Sequence, residues 1–167
     1  MDKKRNKEYK FTPILPKGVT MPSIVSELRG SMSNMERDSE LIFPNIQTCV
    51  AVVGVMGNGE LGGAHMTIAD KTRVGAIAIR LRAICGSNPN EVYILGPGLA
   101  GWDFSPFKNG GASSVRTLDA SGLGFLDVHA EASGGSVAIG IQPRTGNSPD
   151  PQGNNYQSVS LASFGPL

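Results

Sequence analysis

Residues 48–70 read TCVAVVGVMGNGELGGAHMTIAD, and this stretch decides the fold class of the chain. The run CVAVVGV at 49–55 is continuously apolar and rich in β-branched residues, which is typical of a strand buried on both faces. After a glycine-rich loop, the run AHMTIA at 64–69 alternates, with His65 and Thr67 pointing away from its apolar face. The stretch therefore predicts two consecutive strands that carry a cysteine and a histidine.

The flanking sequence predicts further helices and strands on both sides of this pair. Asp70 can cap a helix that runs to about Cys85, because apolar residues recur there at spacings of three and four and Gly86 can close it. Upstream, we expect a short helix at 21–30 and a polar connection at 31–40. Downstream, the patterns predict a strand at 91–95, a short helix at 113–120, a hairpin of 125–131 and 136–142, a loop at 143–155 and an edge strand at 156–164.

Length and composition set the class of protein. The 167 residues, with a mass of 17.5 kDa, predict a single domain over residues 20–167, preceded by an arm at 1–19 that we expect to be mobile. The fold class expected is α/β (α+β), with a strand-rich mixed or antiparallel sheet or sandwich flanked by two or three helices. No apolar run is long enough to span a bilayer, and no hydrophobic signal-peptide core follows the basic arm.

Charge is unevenly distributed along the chain. The net charge is +1, which gives no general field for nucleic acid, so we expect no nucleic-acid partner. Five basic residues nevertheless lie within the first ten: Lys3, Lys4, Arg5, Lys7 and Lys10. The remainder of the chain is mildly acidic, and the simplest interpretation of the basic arm is a solvated tail.

Neither a metal site nor a dinucleotide site is indicated. Two cysteines and two histidines without a paired spacing make a weak zinc pattern, so we expect no metal and no cofactor. The pattern G-x-G-x-x-G occurs at Gly57-Gly59-Gly62 and at Gly96-Gly98-Gly101. Neither match is expected to open the helix that would hold a pyrophosphate, so both are interpreted as loops.

Cys49 and His65 are the candidate catalytic pair. A thiol becomes a useful nucleophile when an imidazole takes its proton, and two neighbouring strands can hold that geometry. A two-residue Asn58-Gly59 turn would put the two side chains on opposite faces, whereas a loop centred on Gly57 would place them directly opposite each other. The hypothesis therefore requires a loop of odd length or a bulge. Its alternative is a structural cysteine beside a hydrogen-bonded histidine, while Cys85 and His129 are expected to be structural and solvated, respectively.

The segment 48–70 resembles the active-site region of the chemoreceptor glutamine deamidase family CheD. That family has Ser-Cys-Val-Ala-Val, a variable loop and Gly-Gly-Met-Ala-His, to which residues 48–52 and 62–65 correspond here. CheD carries a threonine six residues before its cysteine, where this chain has Phe43. The related deamidating toxins, such as cytotoxic necrotizing factor, have Ser-Gly before the cysteine, where this chain has Gln47-Thr48. The resemblance therefore implies a divergent CheD-like member, with a bacterial effector or toxin favoured over a chemotaxis enzyme.

The resemblance implies a hydrolase that converts a glutamine of a target protein to glutamate. Cys49 would be the nucleophile and His65 the general base. The third catalytic element would be a backbone carbonyl near Phe43, or Thr48 or Thr67, and Trp102 and Phe104 are candidates for contacting the target. Such an enzyme would act in the cytoplasm or be delivered into a host cell. The alternatives are a non-enzymatic interaction domain and a Cys–His amidase or peptidase.

Overall fold

A computed structural model describes residues 21–26, 34–112, 114–144 and 155–167. The predicted arm at 1–19, the second half of the helix predicted at 21–30 and most of the loop predicted at 143–155 lie outside the described residues. The strands are β1 (Ser23–Ile24), β2 (Asn34–Asp38), β3 (Glu40–Ile46), β4 (Val50–Val55), β5 (Leu61–Met66), β6 (Glu91–Gly96), β7 (Ser114–Asp119), β8 (Leu126–Ser133), β9 (Ser136–Pro143), β10 (Gln157–Val159) and β11 (Gly165–Pro166). The α-helices are α1 (Val74–Cys85) and α2 (Ser105–Asn109), and short 3-10 helices span Ile68–Thr72, Leu99–Gly101 and Leu161–Ser163.

The described strands form two sheets. The first sheet has the order β1-β3-β8-β9-β10, and the second has the order β11-β7-β6-β4-β5-β2. Most neighbours are antiparallel, while β1 with β3 and β6 with β7 are parallel. The expectation of a mixed α+β fold rich in strands is confirmed.

Two apolar cores hold these layers together. The first lies between the sheets and contains residues from both, including Phe43 and Val128 of the first sheet and Val53 of the second. The second core joins the opposite face of the second sheet to the helices, with Val52 against residues such as Ile77. The continuous apolar run at 49–55 follows from this arrangement, because every residue of β4 is covered on one side or the other.

Adjacent glycines let β5 pack closely on both sides. A Cβ at Gly62 would overlap the sulfur of Cys85, and a Cβ at Gly63 would lie 2.7 Å from Leu41 Cδ1. Cys85 belongs to α1 and Leu41 to β3. The Gly-Gly pair therefore permits close approach of a helix on one face and of the first sheet on the other.

Three sequence predictions for local structure are wrong. Residues 23–24 form β1 rather than the start of a helix, and the predicted connection at 31–40 contains β2. The helix predicted at 113–120 is β7, which pairs in parallel with β6. Here Val115 is buried while the next residue, Arg116, is exposed, so pairing with β6 outweighs the weak helical spacing.

The remaining predictions differ from the structure mainly at element ends. The helix begins at Val74, and the residues around Asp70 form a 3-10 turn that precedes it. The predicted strand at 91–95 and the hairpin of β8 and β9 are confirmed. The last predicted strand covers Gln157–Val159 alone before the chain turns into a 3-10 helix. In the described part of the chain, no helix has both the length and the apolar character needed to cross a membrane.

Candidate active site

The pairing of β4 with β5 decides whether Cys49 and His65 share a face. Val55 pairs with Leu61, so the connecting loop has five residues, 56–60, and Ala51 pairs with His65. Cys49 lies two residues before Ala51 and therefore on the same face as His65. The loop has the odd length that the dyad requires. The pair is diagonal, however, rather than directly opposed as a loop centred on Gly57 would make it.

Both side chains point toward the space between the two sheets. Cys49 packs in the core that joins the sheets and is 4% exposed, and His65 is 1% exposed. Diagonal neighbours of an antiparallel ladder lie roughly 7–8 Å apart, a separation that a long or aromatic side chain can bridge. Cys49 lies one residue before Val50, the first paired residue of β4, so this spacing is the one expected for the pair.

A backbone carbonyl from the first sheet orients His65. Its Nδ1 lies 2.7 Å from the carbonyl oxygen of Val25, the residue that follows β1. A carbonyl can only accept, so Nδ1 carries the hydrogen and donates it. In the neutral ring, Nε2 is then the basic nitrogen that can accept a proton. This contact selects the tautomer that a general base needs.

Pairing within the first sheet fixes the position of Val25 itself. The N–H of Val25 donates to the carbonyl of Ile42 at 2.8 Å, which extends the parallel pairing of β1 with β3 by one residue. Sequence reasoning missed Val25 because it assigned 21–30 to a helix. The available signal was the pair of adjacent β-branched residues, Ile24 and Val25, which favours a strand.

The three candidates for the third catalytic element occupy other positions. Thr67 directs its hydroxyl to Asp70 Oδ2 at 3.1 Å, within the cap of the 3-10 turn. Thr48 is exposed on the bend that leads into β4. Phe43 is buried in the core between the sheets, and the carbonyl that meets Nδ1 of His65 belongs to Val25, which follows the neighbouring strand β1.

A cleft of about 240 Å³ opens beside Thr48, the residue that precedes Cys49. It is lined by Gln47, Thr48, Ile68, Lys71, Pro97, Gly98 and Trp102. Thr48 immediately precedes Cys49, and a Cβ on Gly96 would lie 2.8 Å from the carbonyl oxygen of Cys49. The absence of a side chain at position 96 thus lets the end of β6 and its loop approach the cysteine closely.

Hydrogen bonds from β7 and the turn after it hold the glycine-rich wall of this cleft. The N–H of Gly98 donates to Ser121 Oγ at 3.0 Å, and the N–H of Leu99 donates to Asp119 Oδ2 at 3.1 Å. The hydroxyl and backbone N–H of Ser121 also bond Asp119, and they lower the pKa of its carboxyl. The carboxylate is consequently ionised near neutral pH and available to hold the loop.

Of the two aromatic residues proposed to contact a target, one lies at the cleft. Trp102 lines the cleft, and Lys71 Nζ lies 5.9 Å from the centre of its ring. Phe104 stacks against Trp102 with ring centres 5.5 Å apart, but it is buried in the core beneath the helices. Phe104 therefore supports the indole from below.

The other cysteine and histidine have structural surroundings. Burial raises the pKa of the Cys85 thiol, which packs against β5 from α1. His129 Nε2 lies 2.8 Å from Glu40 Oε1 on the outer face of the first sheet. His129 is thus ion-paired on protonation rather than simply solvated.

Among the described residues, no group of three or more His, Cys, Asp or Glu side chains could hold a metal ion. No family model matches the chain, and comparisons with curated proteins and with solved structures find no significant match.

Proposed function

We propose that the protein is a protein-glutamine deamidase, a hydrolase that converts a glutamine side chain of a target protein to glutamate. The observation that carries the proposal is the hydrogen bond from His65 Nδ1 to the Val25 carbonyl, 2.7 Å long, on a histidine that shares a sheet face with Cys49. This hydrogen bond leaves Nε2 as the acceptor nitrogen of the neutral ring, which is the arrangement that a general base requires.

The proposed reaction proceeds in two halves. His65 Nε2 takes the proton of Cys49 Sγ, and the thiolate attacks the carboxamide carbon to form a tetrahedral intermediate. As the C–N bond breaks, the imidazolium returns its proton to the nitrogen, ammonia leaves, and a thioester remains. His65 then takes a proton from water, and the hydroxide attacks the thioester. As the S–C bond breaks, the imidazolium returns this proton to sulfur, which gives the glutamic acid side chain and regenerates the thiol and the neutral histidine.

The developing oxyanion requires preorganised donors. We assign this role to the N–H of Cys49 and to a neighbouring N–H from the bend at 47–49 that precedes β4. The cleft beside this bend is the proposed entry for the glutamine side chain, with Thr48 on its wall and Trp102 against the target surface. Thr48 is therefore proposed to contact the substrate rather than to orient His65.

The resemblance of residues 48–70 to the chemoreceptor deamidase family CheD supports a protein as substrate. We propose a bacterial effector or toxin that acts in the cytoplasm of its own cell or of a host cell into which it is delivered. Changing a neutral amide to a carboxylate alters the charge of a catalytic or docking glutamine, which is sufficient to switch a target protein.

The test is deamidation of lysate proteins in ¹⁸O-labelled water, followed by peptide mapping. Thioester hydrolysis predicts glutamates that carry one ¹⁸O at former glutamine positions with the wild type and with Cys85→Ser. The same positions should stay unmodified with Cys49→Ser. Label at new chain termini would instead indicate the peptidase alternative, and equal deamidation by Cys49→Ser would contradict the proposal.

One observation favours a second candidate, a non-enzymatic interaction domain. Cys49 is 4% exposed and packs among core residues, as a structural cysteine does. In that case the cleft would be a binding surface for a partner, and the thiol would react slowly and independently of His65.

A further inference from the structure

A second and larger groove lies on the outer face of the first sheet. Its volume is about 520 Å³, and its lining residues come from β3, β8, β9, β10 and the residue before β1. Leu41 and Val128 face the core between the sheets, so the alternating neighbours Ile42 and His129 face outward into this groove. The groove is therefore separate from the cleft beside Cys49.

Two carboxylates at one end give the groove a negative character. Glu40 and Glu131 are directly paired residues of β3 and β8, and both line the groove. Like charges directly opposite each other on neighbouring strands destabilise a sheet unless a cation compensates them. His129 lies against Glu40 at 2.8 Å, while Glu131 is exposed, and no lysine or arginine is among the described residues that line the groove.

The rest of the groove offers apolar surface and an aromatic ring. Ile42 and Ala138 contribute to its lining, and Tyr156 packs where Gly140 has no side chain, with its Cβ 3.0 Å from the position of an added Cβ. The rings of Tyr156 and His129 lie 5.0 Å apart. A ligand suited to this surface combines cationic heads with alkyl or apolar stems, as lysine and arginine side chains do.

We propose that the chain's own basic N-terminal segment docks in this groove. Its five basic residues lie at 3–10, and the stretch 11–16 supplies the apolar residues Phe11, Ile14 and Leu15. The positive charges of these basic residues complement the negative charges of Glu40 and Glu131. The segment thus matches both parts of the groove, its carboxylate end and its apolar floor.

The point at which the chain enters the described structure supports this occupant. Met21 is the first residue that the structure describes, and Pro22 already lines the groove. The groove crosses from Pro22 to Ser158 over strands spaced about 4.8 Å apart, a distance on the order of 15–20 Å. The twelve Cα–Cα steps from Lys10 to Pro22 can span up to about 40 Å, so the basic residues can reach Glu131 without strain.

Docking would also connect the groove to the dyad. The segment continues through Pro22 into β1, and the next residue, Val25, accepts the hydrogen bond from His65. An anchor on the N-terminal side of a two-residue strand would restrict the position of that carbonyl. The proposal nevertheless stands on the groove alone and does not depend on the deamidase activity.

The test is zero-length cross-linking with a water-soluble carbodiimide, which joins only amines and carboxylates in direct contact. Equal amounts of ¹⁴N- and ¹⁵N-labelled full-length protein are mixed, cross-linked and mapped by mass spectrometry. We expect links from Lys3, Lys4, Lys7 or Lys10 to Glu131 or Glu40, with both peptides carrying the same isotope. In Glu131→Gln the links to position 131 should be lost, and in Glu40→Gln/Glu131→Gln the links to the groove should disappear.

Three results would overturn the proposal. Mixed-isotope links would show that a second copy occupies the groove. Links distributed equally over remote carboxylates such as Glu60 and Asp103 would show an undocked segment. In the double variant, the same lysines could form links to other carboxylates at the total yield seen in the wild type. This result would show that the groove does not direct the segment. Glu60→Gln serves as the matched control, because Glu60 pairs with Arg37 outside the groove and its loss should leave the pattern unchanged.

Discussion

At the scale of single residues, the site depends on one backbone carbonyl that no side-chain motif reveals. Val25 accepts from His65 Nδ1, which leaves Nε2 as the basic nitrogen of the neutral ring. Substituting Val25 would not remove this acceptor, since a carbonyl belongs to every residue. In the proposed dyad, the group that orients His65 is therefore a backbone carbonyl, and the position of Val25 after β1 becomes the relevant feature.

The first prediction concerns the two cysteines. Burial is the main cause that raises the pKa of Cys85, so at any given pH less of it is thiolate than of an ordinary thiol. We expect Cys85 to remain unmodified by iodoacetamide near neutral pH and to react only well above about pH 8.5. Peptide mapping after timed alkylation measures this, and rapid modification of Cys85 in the folded wild type would contradict the described packing.

The second prediction concerns the close approach at Gly62. An added methyl group would overlap Cys85 and lie 3.2 Å from Leu81 Cδ1, so Gly62→Ala should lower the free energy of unfolding by about 1–3 kcal/mol. Urea unfolding measures this change. The matched control is Gly75→Ala in α1, where the added methyl meets open space and removal of glycine should stabilise the helix by about 0.5–1 kcal/mol. Equal effects at the two positions would refute the packing argument.

At the scale of elements, the loop at 96–102 is positioned by side chains of β7 and of the turn that follows β7. Asp119 and Ser121 accept the N–H groups of Leu99 and Gly98, and Gly98 adopts a positive φ of 62°. The glycines that resemble a dinucleotide pattern thus serve the turn and the close approach to Cys49. The interpretation of this segment as a loop agrees with its path, apart from the single 3-10 turn at Leu99–Gly101.

The third prediction tests that support. Asp119→Ala removes the acceptor of the Leu99 N–H, so amide hydrogen exchange at Leu99 should accelerate while exchange within α1 stays unchanged. In the wild type, the Ser121 hydroxyl is the main cause that lowers the pKa of Asp119. The ionised carboxylate therefore stabilises the folded protein fully at pH values above 3.8, the ordinary pKa of an aspartate. That effect is lost as the pH falls through the lowered pKa. Unchanged exchange at Leu99 in Asp119→Ala would contradict the assigned role.

Element types were predictable from the sequence where the pattern was long and local. The strands at β4, β6, β8 and β9 and the helix α1 carry strong apolar patterns, and all of them form. The failures at β1 and β7 involve short segments whose structure comes from parallel pairing with a strand distant in sequence. Such pairing is a tertiary interaction, and local periodicity does not encode it.

At the scale of the whole molecule, a group of side chains around a buried ion pair connects the first sheet to the segment that precedes Cys49. Asp127 forms an ion pair with Arg144, and both side chains are fully buried. Asp127 also accepts the N–H of Asn45 at 2.9 Å and the side-chain N–H of Gln142 at 3.0 Å. Asn45 has a φ of 59° at the irregularity in β3, four residues before Cys49. This group therefore fixes the path of the backbone into the bend at 47–49.

The fourth prediction follows from that burial. Arg144→Met would leave the Asp127 carboxylate buried without its ion pair, so the free energy of unfolding should fall by about 3–5 kcal/mol. Urea unfolding of this variant is compared with Arg116→Met, a matched change at an exposed arginine of β7 that should stay within about 0.5 kcal/mol of the wild type. If both variants lost the same stability, the buried pair would not have the role assigned to it.

Only the part of the candidate site that lies on neighbouring segments of the chain was predictable from the sequence. Cys49 and His65 lie on consecutive strands, so the parity of one loop sufficed to place them on one face. Val25 and the cleft wall at 96–102 come from parts of the chain that meet only when the two sheets and their connecting segments assemble. The local sequence identifies the candidate pair, whereas tertiary assembly supplies the acceptor of His65 and the cleft beside Thr48.

The most direct test of the proposed chemistry is the pH dependence of Cys49 alkylation in the wild type and in His65→Gln. Glutamine resembles histidine in size and retains an N–H donor for the Val25 carbonyl, and Cys85 in the same molecule reports any loss of the fold by becoming reactive. In the wild type we expect a fast Cys49 thiol with an apparent pKa well below about 8.5, and in His65→Gln a shift of this pKa toward the ordinary value. Cys85 should be unreactive in both proteins. A slow Cys49 thiol whose pH profile is the same in the two proteins would contradict the dyad and leave the interaction domain as the better interpretation.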